Sequence, residues 1–93
     1  MSQPTAPKVI TYTQRDDYGR NVLHTQIAGA VVCVRVTLPK NYRETHGMAY
    51  LINDWSGPKD DNGHNTVTEV ATLKEAREVE AVIVAREVAA RSK

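Results

Sequence analysis

The feature that most restricts how this chain can fold is its closing stretch, where Thr72 to Arg91 runs for twenty residues without a glycine or a proline. A run that long without either helix breaker reads as one helix, and its start is marked. In Thr72-Leu73-Lys74-Glu75 the Thr hydroxyl can accept a hydrogen bond from the amide three residues on, while the Glu carboxylate reaches back to the Thr amide. That is a capping box. Ala76, Val79, Ile83 and Ala90 fall on one stripe at helical spacing, with Leu73 at its margin. This stripe is expected to cover a sheet.

A sheet is what the other apolar residues predict. The chain holds twelve valines, one tryptophan and no phenylalanine, and valine is stiff at χ1 and suited to a pleated surface. Val9 to Gln14 reads as a first strand, followed by a reversal at Asp16-Asp17-Tyr18-Gly19. A second strand runs from Arg20 to about Ile27 and a third from Val31 to Leu38. Ala28-Gly29-Ala30 between them is read as a reversal in preference to a glycine bulge within one long strand. In the third strand Val32, Val34, Val36 and Leu38 fall on one face, expected to meet the helix, with Val31, Cys33, Arg35 and Thr37 on the other.

Pro39 ends that strand. Lys40 to Gly47 is polar and reads as an exposed loop with room for one helical turn. Met48 to Trp55 is expected to be a fourth strand, a short helix being the alternative for an apolar run of this length. The turn-rich stretch Ser56 to Asn65, with Asn62-Gly63 suited to a hairpin, leads to a short fifth strand at Thr66 to Val70. The expected fold is therefore α+β: a small antiparallel sheet of four to five strands packed against one C-terminal helix. It forms a single domain over residues 8–93, after a flexible lead-in at residues 1–7 that contains two prolines and no periodicity.

Ninety-three residues leave room for one hydrophobic core. Twelve basic and eleven acidic residues give a net charge of +1, which supplies neither the one-sign field of a dedicated nucleic-acid or membrane binder nor the acidity of a DNA mimic. The longest apolar stretch, Ala81 to Ala85, is too short to span a bilayer, and the N-terminal residues lack the apolar core of a signal peptide. Cys33 is the only cysteine, so no intrachain disulfide can form, which fits a reducing compartment. The expectation is a cytoplasmic protein with no membrane partner.

The chemistry-bearing residues are scattered. His24, His46 and His64 lie in three different segments, and Cys33 has no ligand at metal-site spacing, so no metal site is expected. Asp60-Asp61-Asn62-Gly63 lacks the alternating order and the distant Glu of a calcium loop, and reads as a hairpin tip. Cys33 sits within a valine run, where a thiol is expected to be buried and unactivated. There is no glycine-rich phosphate loop. No catalytic or cofactor-binding residue is assigned, and the chain is not expected to be an enzyme.

What remains are surfaces. A non-enzymatic protein-binding module is the leading expectation, with Tyr42, Arg43, Tyr50 and Trp55 as contact residues, since Tyr, Trp and Arg dominate binding hot spots. Tyr50 and Trp55 could equally be core. Val82, Val84 and Val88 are expected to project away from the helix stripe and to form a homodimer interface, unless another protein or the Tyr42 loop covers them. The alternative function is a nucleic-acid-binding accessory protein that uses Arg15, Arg20, Arg35, Lys40 and Arg43 on a cationic sheet face beside Tyr12, Tyr18 and Tyr42. The expected architecture resembles that of small accessory proteins of phages and mobile elements, anti-CRISPR proteins among them, and that resemblance implies an inhibitor of a host complex. The likeness is one of architecture and carries no residue with it.

Overall fold

The computed structural model of the chain describes residues 7–91, so the expected flexible lead-in falls outside the described residues except for Pro7. Five strands, β1 (Val9–Arg15), β2 (Asn21–Ile27), β3 (Ala30–Thr37), β4 (Tyr50–Asp54) and β5 (Thr66–Val70), form one antiparallel sheet in chain order. A short helix, α1 (Lys40–His46), joins β3 to β4, and α2 (Leu73–Arg91) follows β5. The α+β architecture and the strand at residues 50–54 agree with the sequence expectation.

Two of the hairpins use the same turn chemistry. In Asp16-Asp17-Tyr18-Gly19-Arg20 the Asp16 carboxylate accepts from the amides of Tyr18 and Arg20, both at 2.9 Å. In Asp60-Asp61-Asn62-Gly63-His64 the Asp60 carboxylate accepts from Asn62 and His64, again at 2.9 Å. Gly19 and Gly63 both sit at positive φ, 77° and 80°, the left-handed residue that closes a type I turn against a right-twisted strand pair. Burial pulls the Asp16 carboxyl upward, but the amide and guanidinium hydrogen bonds of Arg20 outweigh it and hold the group below its ordinary value.

The β2–β3 reversal is a two-residue turn, because Ile27 pairs with Ala30 and both Ala28 and Gly29 have positive φ, 52° and 84°. Alanine is a poor occupant of that position, since its Cβ crowds the following carbonyl. Ala28→Asn should therefore raise the unfolding free energy by about 0.5–1 kcal/mol, as Asn tolerates the left-handed region in such turns. A urea titration would read this as a higher midpoint at unchanged slope.

The sheet register corrects the expected facing of β3. Thr25 pairs with Cys33 while Gln26 pairs with Val31, so Val32 is an extra, bulged residue and the alternation shifts there. Val32 and Cys33 both join the core cluster with Ile27, Ile52 and Val70 of the sheet and Ala76 and Ile83 of α2. Arg35, two residues on from Cys33, shares that face and donates to Glu80 of α2 at 3.0 Å. Val34 and Val36 consequently lie on the opposite face, away from α2.

Helix α2 begins where its cap predicts. The Thr72 hydroxyl accepts from the Glu75 amide at 3.1 Å and donates to the Glu75 carboxylate at 3.0 Å, so the carboxylate engages the hydroxyl where the backbone amide was expected. Thr72→Ala should cost about 1 kcal/mol by stranding one helix-start amide, read as a lowered urea midpoint. Ala76 and Ile83 are buried, and Val79, Val84 and Val88 pack against the same core. Ala90, expected on the stripe, is exposed. Glu80, Val84 and Val88 form one row of the helix that lies against the sheet, with Glu80 paired to Arg35, so the covered face is turned in that direction.

The expected loop at Lys40–Gly47 is helix α1. Pro39 precedes it, and Gly47 ends it in the left-handed conformation at φ 73°, its amide bonding to the Arg43 carbonyl at 2.9 Å. Proline before and glycine after is a readable pair of helix boundaries. Apolar periodicity missed the helix because none of its residues is buried.

Candidate functional site

Because α2 lies across one face of β2 to β5 and makes no contact with β1, the other face of the sheet has no covering layer among the described residues. The strand register assigns its side chains. Tyr12, His24, Val34, Asn53 and Val67 form one row across the five strands, and Gln14, Val22, Val36, Leu51 and Glu69 form the next. Val22 and Val34 are nonetheless buried, whereas Ile10, Trp55 and Val67 are 42%, 52% and 47% exposed. These two rows carry a single formal charge, Glu69.

The centre of this face is a cleft of about 240 Å³ lined by Tyr12, His24, Val31, Val34 and Trp55. The phenol of Tyr12 stacks on the imidazole of His24, ring centres 4.8 Å apart and planes within 2°, and the Gln26 amide donates to the Tyr12 hydroxyl at 3.2 Å. A second hollow of about 250 Å³, lined by Gln14, Arg15, Asp16, Val22 and His24, opens on the far side of the same imidazole. His24 thus forms the wall between two depressions.

Two polar atoms here are buried without a partner, His24 Nδ1 and Asn53 Oδ1. They stand on either side of Val34 in one row. An unsatisfied buried polar atom costs roughly 1–3 kcal/mol, and both atoms, like Glu80 Oε2 beneath α2, are shielded from solvent within the domain.

The structure separates the four residues expected to form a protein-binding surface. Trp55 lines the open-face cleft. Tyr42, on α1, donates to both oxygens of Glu69 at 3.0 and 3.2 Å, which holds it at the β5 margin of the open face. That bond pushes the phenol above its ordinary pKa. Arg43 is exposed on α1. Tyr50 belongs to the helix-covered face, packed against the core and beside Arg35, whose guanidinium carbon lies 5.9 Å from its ring centre. Sequence reasoning missed Tyr12 and His24 as neighbours, although a strand pairing through the Asp16 turn would have placed them opposite each other.

The expected dimer surface on α2 shrinks in the same way. Val84 and Val88 were expected to project outward, but both pack on the core, and Val82, at 70% exposure, is the one of the three left facing out. The cations proposed for nucleic acid also disperse. Arg35 is on the helix-covered face, paired with Glu80; Arg20 is paired with Asp16 at 2.6 Å; Lys40 and Arg43 lie on α1.

Elsewhere the reactive groups stay apart. Among the described residues no group of three or more His, Cys, Asp or Glu side chains comes together to hold a metal ion, and no helix is long and apolar enough to cross a membrane. Cys33 is 1% exposed, and burial pushes its thiol pKa up against a hydrogen bond with Thr25 that pulls it down. A thiol held protonated is a poor nucleophile. No protein-family model, no curated protein sequence and no solved structure matches this chain.

Proposed function

We propose that this chain is a non-enzymatic protein-binding module whose contact surface is the open sheet face around Tyr12, His24, Val34 and Trp55. The observation that carries this reading is the apolar, aromatic-lined cleft on a face that no described element covers, with Ile10, Trp55 and Val67 half exposed around it. A partner of matching chemistry places an apolar or aromatic anchor in the cleft. Trp55, half exposed at the rim, has the character of a binding hot spot. The near-neutral face favours a polypeptide over a polyanion, whose affinity would rest on phosphate neutralisation.

Site-specific photo-crosslinking in extract of the native host tests this. A benzoylphenylalanine at Trp55 should give a discrete protein adduct, and the same probe at Glu78, exposed on α2, should give none. Val67→Glu or Ile10→Glu, at exposed open-face positions, should reduce the Trp55 adduct about tenfold or more, as a charge must be desolvated in the interface. Equal adducts at both positions, or a nuclease-sensitive adduct, would refute the reading.

A further inference from the structure

Strand β1 is the least buried strand of the sheet, and its exposure has a specific pattern. It pairs on one side with β2 and, among the described residues, ends the strand order on the other. It makes no contact with α2. Val9 and Ile10, on opposite faces, are each 42% exposed, so the strand is open on both faces and along its outer edge.

The direction of its free backbone groups follows from the ladder. The Lys8 carbonyl accepts from the Ala28 amide at 3.2 Å, and the Asp16 amide donates to the Arg20 carbonyl at 3.0 Å. Even-numbered residues of β1 therefore turn their peptide groups toward β2, and Val9, Thr11, Thr13 and Arg15 turn theirs outward. Proteins usually blunt such an edge with an inward charge, a proline, a bulge or a very short strand. In β1 the one charge is Arg15 at its last position, Pro7 and Lys8 lie just before it, and residues 9 to 14 carry no such device. The opposite edge, β5, is five residues long and holds Glu69, which α1 engages through Tyr42.

The sequence of this edge is self-complementary. Thr11-Tyr12-Thr13 reads the same in both directions, and an antiparallel pairing about a two-fold axis at Tyr12 sets Thr11 against Thr13 of the second copy. Val9 falls against Arg15, and Ile10 against Gln14. Just beyond the strand, Lys8 meets Asp16, opposite in charge, and no two like charges are opposed. All four outward-facing residues find hydrogen-bonding partners in this register, as an isologous contact requires.

We propose that two copies of this chain associate through β1, edge to edge and centred on Tyr12, to form a continuous ten-stranded sheet. The open faces of the two copies then join across the Tyr12 pair, and α2 of each copy remains on the opposite side. This association is independent of the binding role assigned to the open face, because its hydrogen bonds come from the edge and its flanking Thr11 and Thr13 side chains project to the other face.

Sedimentation equilibrium on the full chain tests it. The wild type should dimerise, and Thr11→Lys with Thr13→Lys should weaken the dimer roughly tenfold or more, because two like-charge pairs would face each other. Thr11→Lys with Thr13→Glu should restore it, since each Lys then faces a Glu of the second copy. Thr13→Pro should also give a monomer, as it removes an outward amide and leaves the bonds to β2 in place. Both threonines are exposed, so an unchanged circular dichroism spectrum is expected throughout. A wild type that stays monomeric to its solubility limit, or a dimer that survives both the double-lysine and the proline variants, overturns the proposal. A Lys/Glu variant that remains monomeric overturns the register at Tyr12. Trp55→Ser, within the open-face cleft, should leave the mass unchanged.

Discussion

Ile83→Asp should leave the domain unfolded at neutral pH. Ile83 is 5% exposed and contacts the core cluster of Ile27, Val32, Cys33, Ile52 and Val70 from the helix side. Losing its buried side chain alone costs about 2–5 kcal/mol. The carboxylate that replaces it either ionises without a partner in an apolar site or takes up a proton, and each adds further cost. The sum reaches or exceeds the roughly 5–14 kcal/mol available to a chain of this length. Val82→Asp is the matched control, one residue away on the same helix at 70% exposure, with an expected change within about 0.5 kcal/mol. Circular dichroism with urea titration separates the two. A cooperatively folded Ile83→Asp protein would mean that α2 covers the sheet with another face.

The elements that the sequence made legible are those whose signals are local. The Thr72 cap, the two Asp-Asp-x-Gly turns and the β-branched runs each act within a few residues, and each lies where expected. Two features were hidden because their causes are not local. The facing of β3 depends on the bulge at Val32, and a bulge is a relation between two strands that periodicity in one strand does not record. The covered side of α2 is set by packing on strands distant in sequence, where Val84 and Val88 meet the core and Glu80 meets Arg35 across 45 residues, and a helical wheel drawn on apolar residues alone placed Val84 and Val88 outside.

The candidate site was legible only as residue types. Tyr and Trp were recognised as anchors, yet the choice between Trp55, which remains exposed, and Tyr50, which packs on the core, is made by the parity of β4 relative to a helix that begins nineteen residues after it. Tyr12 and His24 carry no motif. They become a candidate site only when a hairpin stacks them on a face that no described element covers.

The second large effect is expected at Asp54, where the end of β4 is fastened to α2. Its carboxylate accepts from both terminal nitrogens of Arg86 at 2.7 and 2.8 Å and from the Gly57 amide at 2.9 Å. A Cβ at residue 57 would collide with that carboxylate, so the loop must carry glycine there to close on it. The Asp54 side chain is 11% exposed, and Asp54→Ala removes one partner of a largely buried, bidentate pair, a class of change that costs about 3–5 kcal/mol. Arg86 keeps its 2.8 Å bond to Glu87 and is 38% exposed, so water can reach it and the lower end of that range is expected. The Arg86 hydrogen bonds hold the Asp54 carboxyl below its ordinary value, against desolvation that would raise it. A depressed folded-state pKa contributes stability that is present above the unfolded value, near 3.9, and lost as pH falls through the folded one. Glu80 has the opposite sign: burial raises its pKa more than Arg35 and Arg77 lower it, so protonation in acid relieves a cost. Wild type and Asp54→Asn share Glu80, and its contribution cancels in their difference. The stability gap between these two proteins should therefore be flat from about pH 8 to 5 and narrow progressively below about pH 4. Urea titrations across that range would measure it, and a gap that stayed constant into acid would show that the Asp54 charge contributes nothing to the clamp.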